Sequence, residues 1–223
     1  MGSPARIFLL SPADCSGKRA TILSSAGADF DLARQMRTPI GAELGEVFSF
    51  VSSLYFRGKL AYARAFARPP GHSRHSGKLS GAYVITPSDG LRPPDTRITT
   101  RDLRRYAGVP VDPAETRYRV PLLRDLEALA GQAREAEFVL LGSIASGKYA
   151  ELMIAVFGRR LLFPGDFVGG GDMSRGGLML RCAREGRELR YVALLEAKRR
   201  GPRPARLPPL RNHRLRVSTR PAG

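Results

Sequence analysis

The sequence is poor in the residues that build metal sites and disulfide frameworks. It contains two cysteines, Cys15 and Cys182, and three histidines, at positions 72, 75 and 213. Two cysteines form no disulfide framework, and the histidines stand in polar surroundings without zinc-ligand spacing. We therefore expect no metal and no other cofactor. Cys15 has no histidine near it in the sequence, so we interpret it as a buried residue rather than a nucleophile.

Long apolar runs are also missing. No window approaches the roughly 18 consecutive apolar residues that a membrane-spanning helix needs. The apolar start at residues 7–10 is too short for a signal peptide and reaches Pro12 almost at once. The sequence therefore predicts a cytoplasmic protein with no membrane partner.

Acidic residues are scarce relative to basic ones. The chain has 37 Lys and Arg against 20 Asp and Glu, a net charge of +17. Nine of the basic residues follow Glu196 with no acid among them, and the 28 that precede it still exceed the 20 acids, which leaves +8 on the body. A field of this sign attracts polyanions, so DNA is the first expected partner, ahead of RNA. The alternative explanation of the charge is a generally arginine-rich composition with a solvated tail, which implies no nucleic-acid partner.

Four short apolar runs, each ended by Pro or Gly, predict buried strands at residues 6–11, 82–87, 138–142 and 160–164. The segments between them have helical character. They are 46–56 continuing into 59–67, 101–106 after the capping residues Thr99 and Thr100, 121–136 with Pro121 in the first turn, and 148–158.

Strands that alternate with helices predict an α/β fold, a single three-layer domain with a mostly parallel central sheet and helices on both faces. We place this domain at residues 1–196. Residues 67–81 are read as a basic loop, either a flexible insertion or an arm that contacts nucleic acid. Residues 197–223 are read as a basic C-terminal extension rich in Pro and Arg.

Ligands of such sheets bind where the parallel strands end, so the loops after the four strands should converge. Three of these loops carry an aspartate close to a glycine, namely Asp14, Asp89 and Asp172. Each is a candidate catalytic carboxylate, with Asp14 the first choice. The alternative for each is ordinary turn chemistry, in which Asp and Gly shape the loop.

The loop after the third strand reads GSIASGKY, residues 142–149, and differs from the phosphate-binding pattern GxxxxGK[ST] at its last position. Tyr149 stands where a Ser or Thr hydroxyl would hold Mg²⁺, so ATP or GTP hydrolysis is not expected. A strand, a Gly/Ser loop and a helix start with a lysine still form an anion site, here for a backbone phosphate. The alternative is a plain strand-to-helix turn with Ser146 as its N-cap.

Several short motifs in this order resemble a loose group of bacterial and archaeal domains. They are Leu9–Pro12 through Cys15–Lys18, Leu54–Arg57, Val84–Pro87 through Gly90 and Asp95, and Gly147–Tyr149. The group includes the YaaA-like proteins and the core domain of archaeosine synthase, whose architecture is similar to uracil-DNA glycosylases. The match covers roughly residues 6–180. The chain departs from it at Arg19–Ala20, where archaeosine synthase has Pro-Tyr, and it lacks the Gly-Gln-Asp-Pro-Tyr signature of uracil-DNA glycosylases.

The resemblance and the charge together predict an enzyme that flips a modified or damaged base out of DNA and hydrolyses its N-glycosidic bond, in DNA repair or in antiviral defence against phage. The alternatives are a nucleic-acid-binding protein without activity, and base transfer on tRNA. The expected contacts to nucleic acid are Ser16, Lys18, Arg19, Tyr55, Arg57, Ser143, Ser146, Lys148, Tyr149 and Arg175.

Overall fold

A computed structural model describes residues 4–71, 79–145, 147–198 and 201–202. Its strands are β1 (Arg6–Leu10), β2 (Ala42–Glu43), β3 (Ala82–Ile85), β4 (Leu91–Arg92), β5 (Arg97–Ile98), β6 (Glu137–Leu141), β7 (Leu161–Pro164) and β8 (Tyr191–Ala193). Its helices are α1 (Lys18–Ser24), α2 (Asp31–Met36), α3 (Leu44–Val51), α4 (Ser53–Phe66), α5 (Thr100–Ala107), α6 (Thr116–Gln132), α7 (Ala150–Phe157) and α8 (Asp172–Glu185).

A six-stranded sheet forms the centre of the molecule, in the order β4-β3-β1-β6-β7-β8. The four inner strands are parallel, and the two edge strands run antiparallel to them. Ile7, Phe8, Leu9 and Leu10 of the central strand β1 are all inaccessible to solvent. Because successive side chains of a strand point to opposite faces, the sheet must be covered on both sides. The predicted three-layer α/β fold is confirmed.

All four predicted strands exist, as β1, β3, β6 and β7. The edge strands β4 and β8, and the small antiparallel pair of β2 and β5, were not predicted. They have only two or three residues each, which is too short for an apolar pattern to mark them in the sequence.

The helices differ from prediction in several places. The capped helix at Thr99 is confirmed as α5, with a capping box in which Thr99 and Asp102 bond each other's backbone. Pro121 was wrongly placed in a first turn, because α6 already begins at Thr116 and Glu115 accepts a hydrogen bond from its first turn. The glycine-rich loop after β7 is shorter than expected, since α8 begins at Asp172. The short helices α1 and α2 and the longer helix α8 were not predicted.

Two glycines set how closely α4 and α8 pack. A Cβ atom on Gly58 would lie 2.6 Å from the carbonyl oxygen of Gly176, and a Cβ on Gly176 would lie 2.8 Å from that of Leu54. The two backbones therefore touch, and no side chain fits between them. This contact brings the start of α8 against the first turns of α4, next to the end of β1.

The remaining expectations about organisation fall partly outside the described residues. Of the basic loop at 67–81, residues 72–78 lie outside them, while Arg68 bridges to Arg6 and pairs with Glu188. Of the extension, only residues 197–198 and 201–202 are described, and Gly201–Pro202 packs against Val168 and Gly169. No helix in the described part of the chain is long and apolar enough to cross a membrane.

The close contact of α4 and α8 makes a stability prediction. Gly176→Ala should lower the free energy of unfolding by about 1–3 kcal/mol, because the added methyl group forces the helices apart. Gly177→Ala is the matched control, since a Cβ there meets nothing within 4 Å. It should be neutral or stabilise by up to about 1 kcal/mol. Urea unfolding measures both, and equal effects of the two substitutions would contradict this packing.

Candidate functional site

A cleft of about 670 Å³ opens at the carboxyl ends of the parallel strands. All four predicted strand-end loops reach it, together with the start of α4 and the segment after α5. The residues that line it are Ser11, Pro12, Ala13, Asp14, Cys15, Ser16, Ser52, Tyr55, Pro87, Tyr106, Ala107, Gly108, Val109, Pro110, Val111, Ser143, Lys148, Tyr149 and Asp172. Its position beside β1 and β6 follows from the topology. The chain leads from β1 to β3 on one side, and later places β6 on the other side of β1, so the loops that follow β1 and β6 diverge and leave a crevice between them.

Asp14 is an exposed carboxylate in the wall of the cleft. Its Oδ1 atom accepts hydrogen bonds from the backbone N–H of Ser16 at 3.0 Å and from the Ser16 hydroxyl at 2.7 Å. These two bonds hold the carboxylate in one orientation, while Oδ2 makes no hydrogen bond to the described residues. The structure therefore offers one fixed carboxylate oxygen for a ligand or a water molecule.

Asp89 has a different environment and does not line the cleft. Its two oxygens receive a bidentate pair of hydrogen bonds from Arg105, at 2.7 and 2.8 Å, and a third from the Tyr106 hydroxyl at 2.7 Å. All the acceptor directions that face the protein are occupied. We assign Asp89 the role of joining the loop after β3 to α5, and we drop it as a catalytic candidate.

Asp172 lines the cleft at the first residue of α8. Arg175 lies one turn later, 3.6 Å from it, with its side chain almost buried and its Nε donating to the carbonyl of Phe167 at 3.1 Å. The predicted phosphate contact of Arg175 is therefore not exposed in the cleft. Arg175 instead fixes the loop before α8 and offsets the charge of Asp172.

The loop that resembles a phosphate-binding loop closes on itself. The Tyr149 hydroxyl accepts a hydrogen bond from the Ser143 N–H at 3.0 Å and donates one to the Ser143 carbonyl at 2.7 Å. Tyr149 is the N-cap of α7, and Lys148 before it is exposed at the cleft. Tyr149 thus spans the loop in place of a phosphate, and of the described loop residues Lys148 and the Ser143 hydroxyl are left to meet an anion there. Ser146 lies outside the described residues.

A buried lysine lies directly beneath the cleft. The Lys59 side chain, 1% exposed, donates from Nζ to the carbonyl oxygen of Ser11 at 3.0 Å and to its hydroxyl at 2.7 Å. The same Nζ lies 4.0 Å from the ring centre of Tyr55. Burial lowers the pKa of Lys59 to about 7, an effect that Asp172 opposes and Arg175 increases.

The other predicted contacts divide between the cleft and the outer surface. Ser16 and Tyr55 line the cleft, although Tyr55 is only 6% exposed and Lys59 covers one face of its ring. Lys18, Arg19 and Arg57 are exposed but do not line it. Arg57 instead borders a separate cavity that also contains two glutamates.

Sequence reasoning missed Ser11, Lys59 and the wall formed by residues 106–111. Lys59 carried a signal, because it lies four residues after Tyr55 and three before Tyr62, on the apolar stripe of a predicted helix. A lysine at such a position is buried, and a buried amine needs a partner. The wall at residues 106–111 had no such signal, because no local sequence pattern showed that this segment faces the ends of the strands.

The Cys15 thiol lines the cleft but is not activated. Burial, with a smaller effect of Asp14, raises its pKa to about 12. The thiol is therefore protonated at neutral pH and is a poor nucleophile. Among the described residues, no three His, Cys, Asp or Glu side chains are grouped as metal ligands.

The chain matches no protein-family model, no curated protein and no solved structure. The resemblance to YaaA-like and archaeosine synthase domains therefore stays a prediction. Function has to be inferred from the geometry of the cleft.

Replacing Asp14 and replacing Asp89 by alanine should lower the free energy of unfolding by different amounts. Asp89→Ala leaves the buried Tyr106 hydroxyl without its acceptor and leaves Arg105 only its ion pair with Asp102 among the described residues, so it should cost about 1–3 kcal/mol of unfolding free energy. Asp14→Ala removes bonds on an exposed loop and should cost less than about 1 kcal/mol. Urea unfolding of both variants checks this. A larger loss for Asp14→Ala would mean that Asp14 is structural.

Proposed function

We propose that this protein is a DNA glycosylase-like hydrolase that removes a modified or damaged base by cleaving its N-glycosidic bond. The observation that carries the proposal is the cleft at the strand ends, which combines the fixed carboxylate of Asp14 with Lys148, an exposed cation that pairs with no carboxylate of the described residues. Its volume of about 670 Å³ lies in the usual range for small-ligand sites and is large enough for a flipped nucleotide.

Different residues of the cleft contact the phosphate, the sugar and the base of the bound nucleotide. Lys148 and the polar groups of Ser143 and Ser16 lie where they can contact a backbone phosphate. Pro110 and Val111 provide an apolar wall for the sugar and base. Tyr55 and Tyr149, both 6% exposed, serve as packing at the edge of the base rather than as open stacking platforms. The net charge of +17 attracts the polyanion to the site.

The chemistry needs a fixed negative charge near the anomeric carbon. As the bond between C1′ and the base nitrogen breaks, its electron pair leaves with the base and positive charge develops on the sugar. The carboxylate of Asp14 stabilises that charge and accepts a proton from the water whose oxygen bonds to C1′. This proton reaches the departed base through solvent. Asp172, lining the same cleft, is the reserve for this role.

Activity is tested by incubating the protein with end-labelled DNA that carries natural, damaged and phage-type modified bases, followed by alkaline cleavage at abasic sites. We expect cleavage at one kind of modified base, and a loss of a hundredfold or more, about 10²–10³, in Asp14→Ala because the cation-stabilising charge is gone. Asp31→Ala is the matched control, an exposed aspartate on α2 outside the cleft. Abasic sites that persist in Asp14→Ala would transfer the role to Asp172.

Binding should respond to these residues differently from cleavage. Lys148→Ala should weaken DNA binding and reduce its salt dependence by about one counterion, since one phosphate contact is lost. Asp14→Ala should preserve or tighten binding, because a negative charge near phosphate disappears. Fluorescence anisotropy over a salt series measures both. Salt-sensitive binding with no abasic sites from any substrate would favour the binding protein without activity, and preferential tRNA binding would favour base transfer.

A further inference from the structure

Lys59 is a buried amine held by uncharged groups. Its three possible N–H donors meet the Ser11 carbonyl, the Ser11 hydroxyl and the face of the Tyr55 ring. These groups satisfy the hydrogen bonds of an ammonium, but none of them carries a negative charge. Within the described part of the chain, no carboxylate forms an ion pair with it. Asp172 acts on it only at longer range, and Arg175 opposes that effect.

A buried ammonium without a counterion is unfavourable, and an anion nearby relieves the cost. The side chain is sealed on the protein side by Tyr55 and Phe56, whose rings lie 4.0 and 5.4 Å from Nζ. On the other side lies Ser11, which lines the cleft. Among the described residues that contact Lys59, Ser11 is the one that presents a hydroxyl to the cleft, so an anion in the cleft approaches Lys59 through Ser11.

The hydroxyl of Ser11 is suited to receive that anion. Its oxygen accepts a hydrogen bond from Lys59, so its own hydrogen is left to donate. The Tyr149 hydroxyl is the neighbouring group, and its interaction with Ser11 partly offsets the rise that burial causes in the Tyr149 pKa. Tyr149 already exchanges two hydrogen bonds with Ser143, so it does not depend on Ser11 for a partner. The Ser11 hydrogen can therefore turn from Tyr149 to a ligand in the cleft.

We infer that Ser11 and Lys59 form an anion subsite in the floor of the cleft, and that occupation of this subsite is coupled to proton uptake by Lys59. The ligand group is a compact anion with an oxygen that accepts from Ser11. It belongs either to a phosphate or to a nucleobase that is ionised. The subsite does not depend on the proposed hydrolysis, because it requires only that an anion binds.

The coupling fixes the sign of the pH dependence. In the free protein, burial leaves the pKa of Lys59 at about 7, and a bound anion raises it. Below that pH Lys59 is charged with or without ligand, so affinity is constant. Above it, binding must draw a proton onto the amine, and affinity falls about tenfold for each pH unit until the pKa of the complex is reached. The other charged or titratable groups that face Lys59 are Asp172, Arg175, Tyr55 and Tyr149.

Lysine NMR tests the subsite directly, because the chain has only five lysines, at 18, 59, 78, 148 and 198. The protein is labelled with ¹³C at the lysine ε carbons, and Lys59→Met identifies the Lys59 signal. The titration is run without ligand, with sulfate, and with barbiturate, a pyrimidine that is anionic at neutral pH. Neither probe takes up a proton of its own in this range. We expect the Lys59 pKa to rise by about one unit or more with at least one probe.

The variants separate the subsite from general attraction to a basic protein. Lys59→Met, of similar size and apolar, should weaken binding of the effective probe about tenfold at pH 6 and remove the pH dependence. Ser11→Ala should weaken binding while leaving Lys59 to titrate. Lys198→Met, a lysine exposed outside the cleft, should change neither.

The two probes distinguish the sources of the anion. A response to sulfate assigns the subsite to a phosphate, and a response to barbiturate assigns it to an ionised base. If neither probe moves the Lys59 titration, or if Lys198→Met weakens binding as much as Lys59→Met, the subsite is overturned. If Lys59→Met does not fold, Met variants of the other four lysines assign the Lys59 signal by elimination, and titration of the unmodified protein still gives this answer. A protein that binds either probe but forms no abasic sites would refute the hydrolase and retain the subsite.

Discussion

The contact between the backbones of α4 and α8 is the constraint on which the cleft depends. Gly58 and Gly176 let the two helices touch, so the residues beside them are held at fixed distances from the end of β1. On α4 these neighbours are Tyr55 and Lys59, and on α8 they are Asp172 and Arg175. A larger residue at either glycine would move Asp172 and Arg175 away from the Lys59 amine, whose pKa both of them affect.

The aspartates show how environment separates residues that look alike in the sequence. Asp14, Asp89 and Asp172 each stand in a polar loop near a glycine. Only Asp89 is saturated by Arg105 and Tyr106, and it lies behind the wall of the cleft that Tyr106 forms. Hydrogen bonds that occupy a carboxylate make it a structural link, whereas one left partly free can act on a ligand.

The charge of the molecule has two distinct parts. The surface excess of Lys and Arg acts at long range and is screened by salt, so it concentrates polyanions without selecting among them. The single charge on Lys59 is buried, is screened little, and acts only on what occupies the floor of the cleft. In the proposed function, attraction of nucleic acid and selection of a group within it therefore fall to different residues.

The sequence by itself determined the fold class and the end of the sheet where the cleft lies. The four apolar strands are recorded in local patterns, and parallel strands place their following loops together. Tertiary structure alone decided that Arg105 captures Asp89, that Tyr149 closes its own loop, and that Lys59 meets Ser11. The contacts of Asp89 and Ser11 join residues of separate elements, and no local pattern records how those elements pack. The contact of Tyr149 lies within one loop, but the pattern of that loop does not show that the Tyr149 hydroxyl folds back onto Ser143.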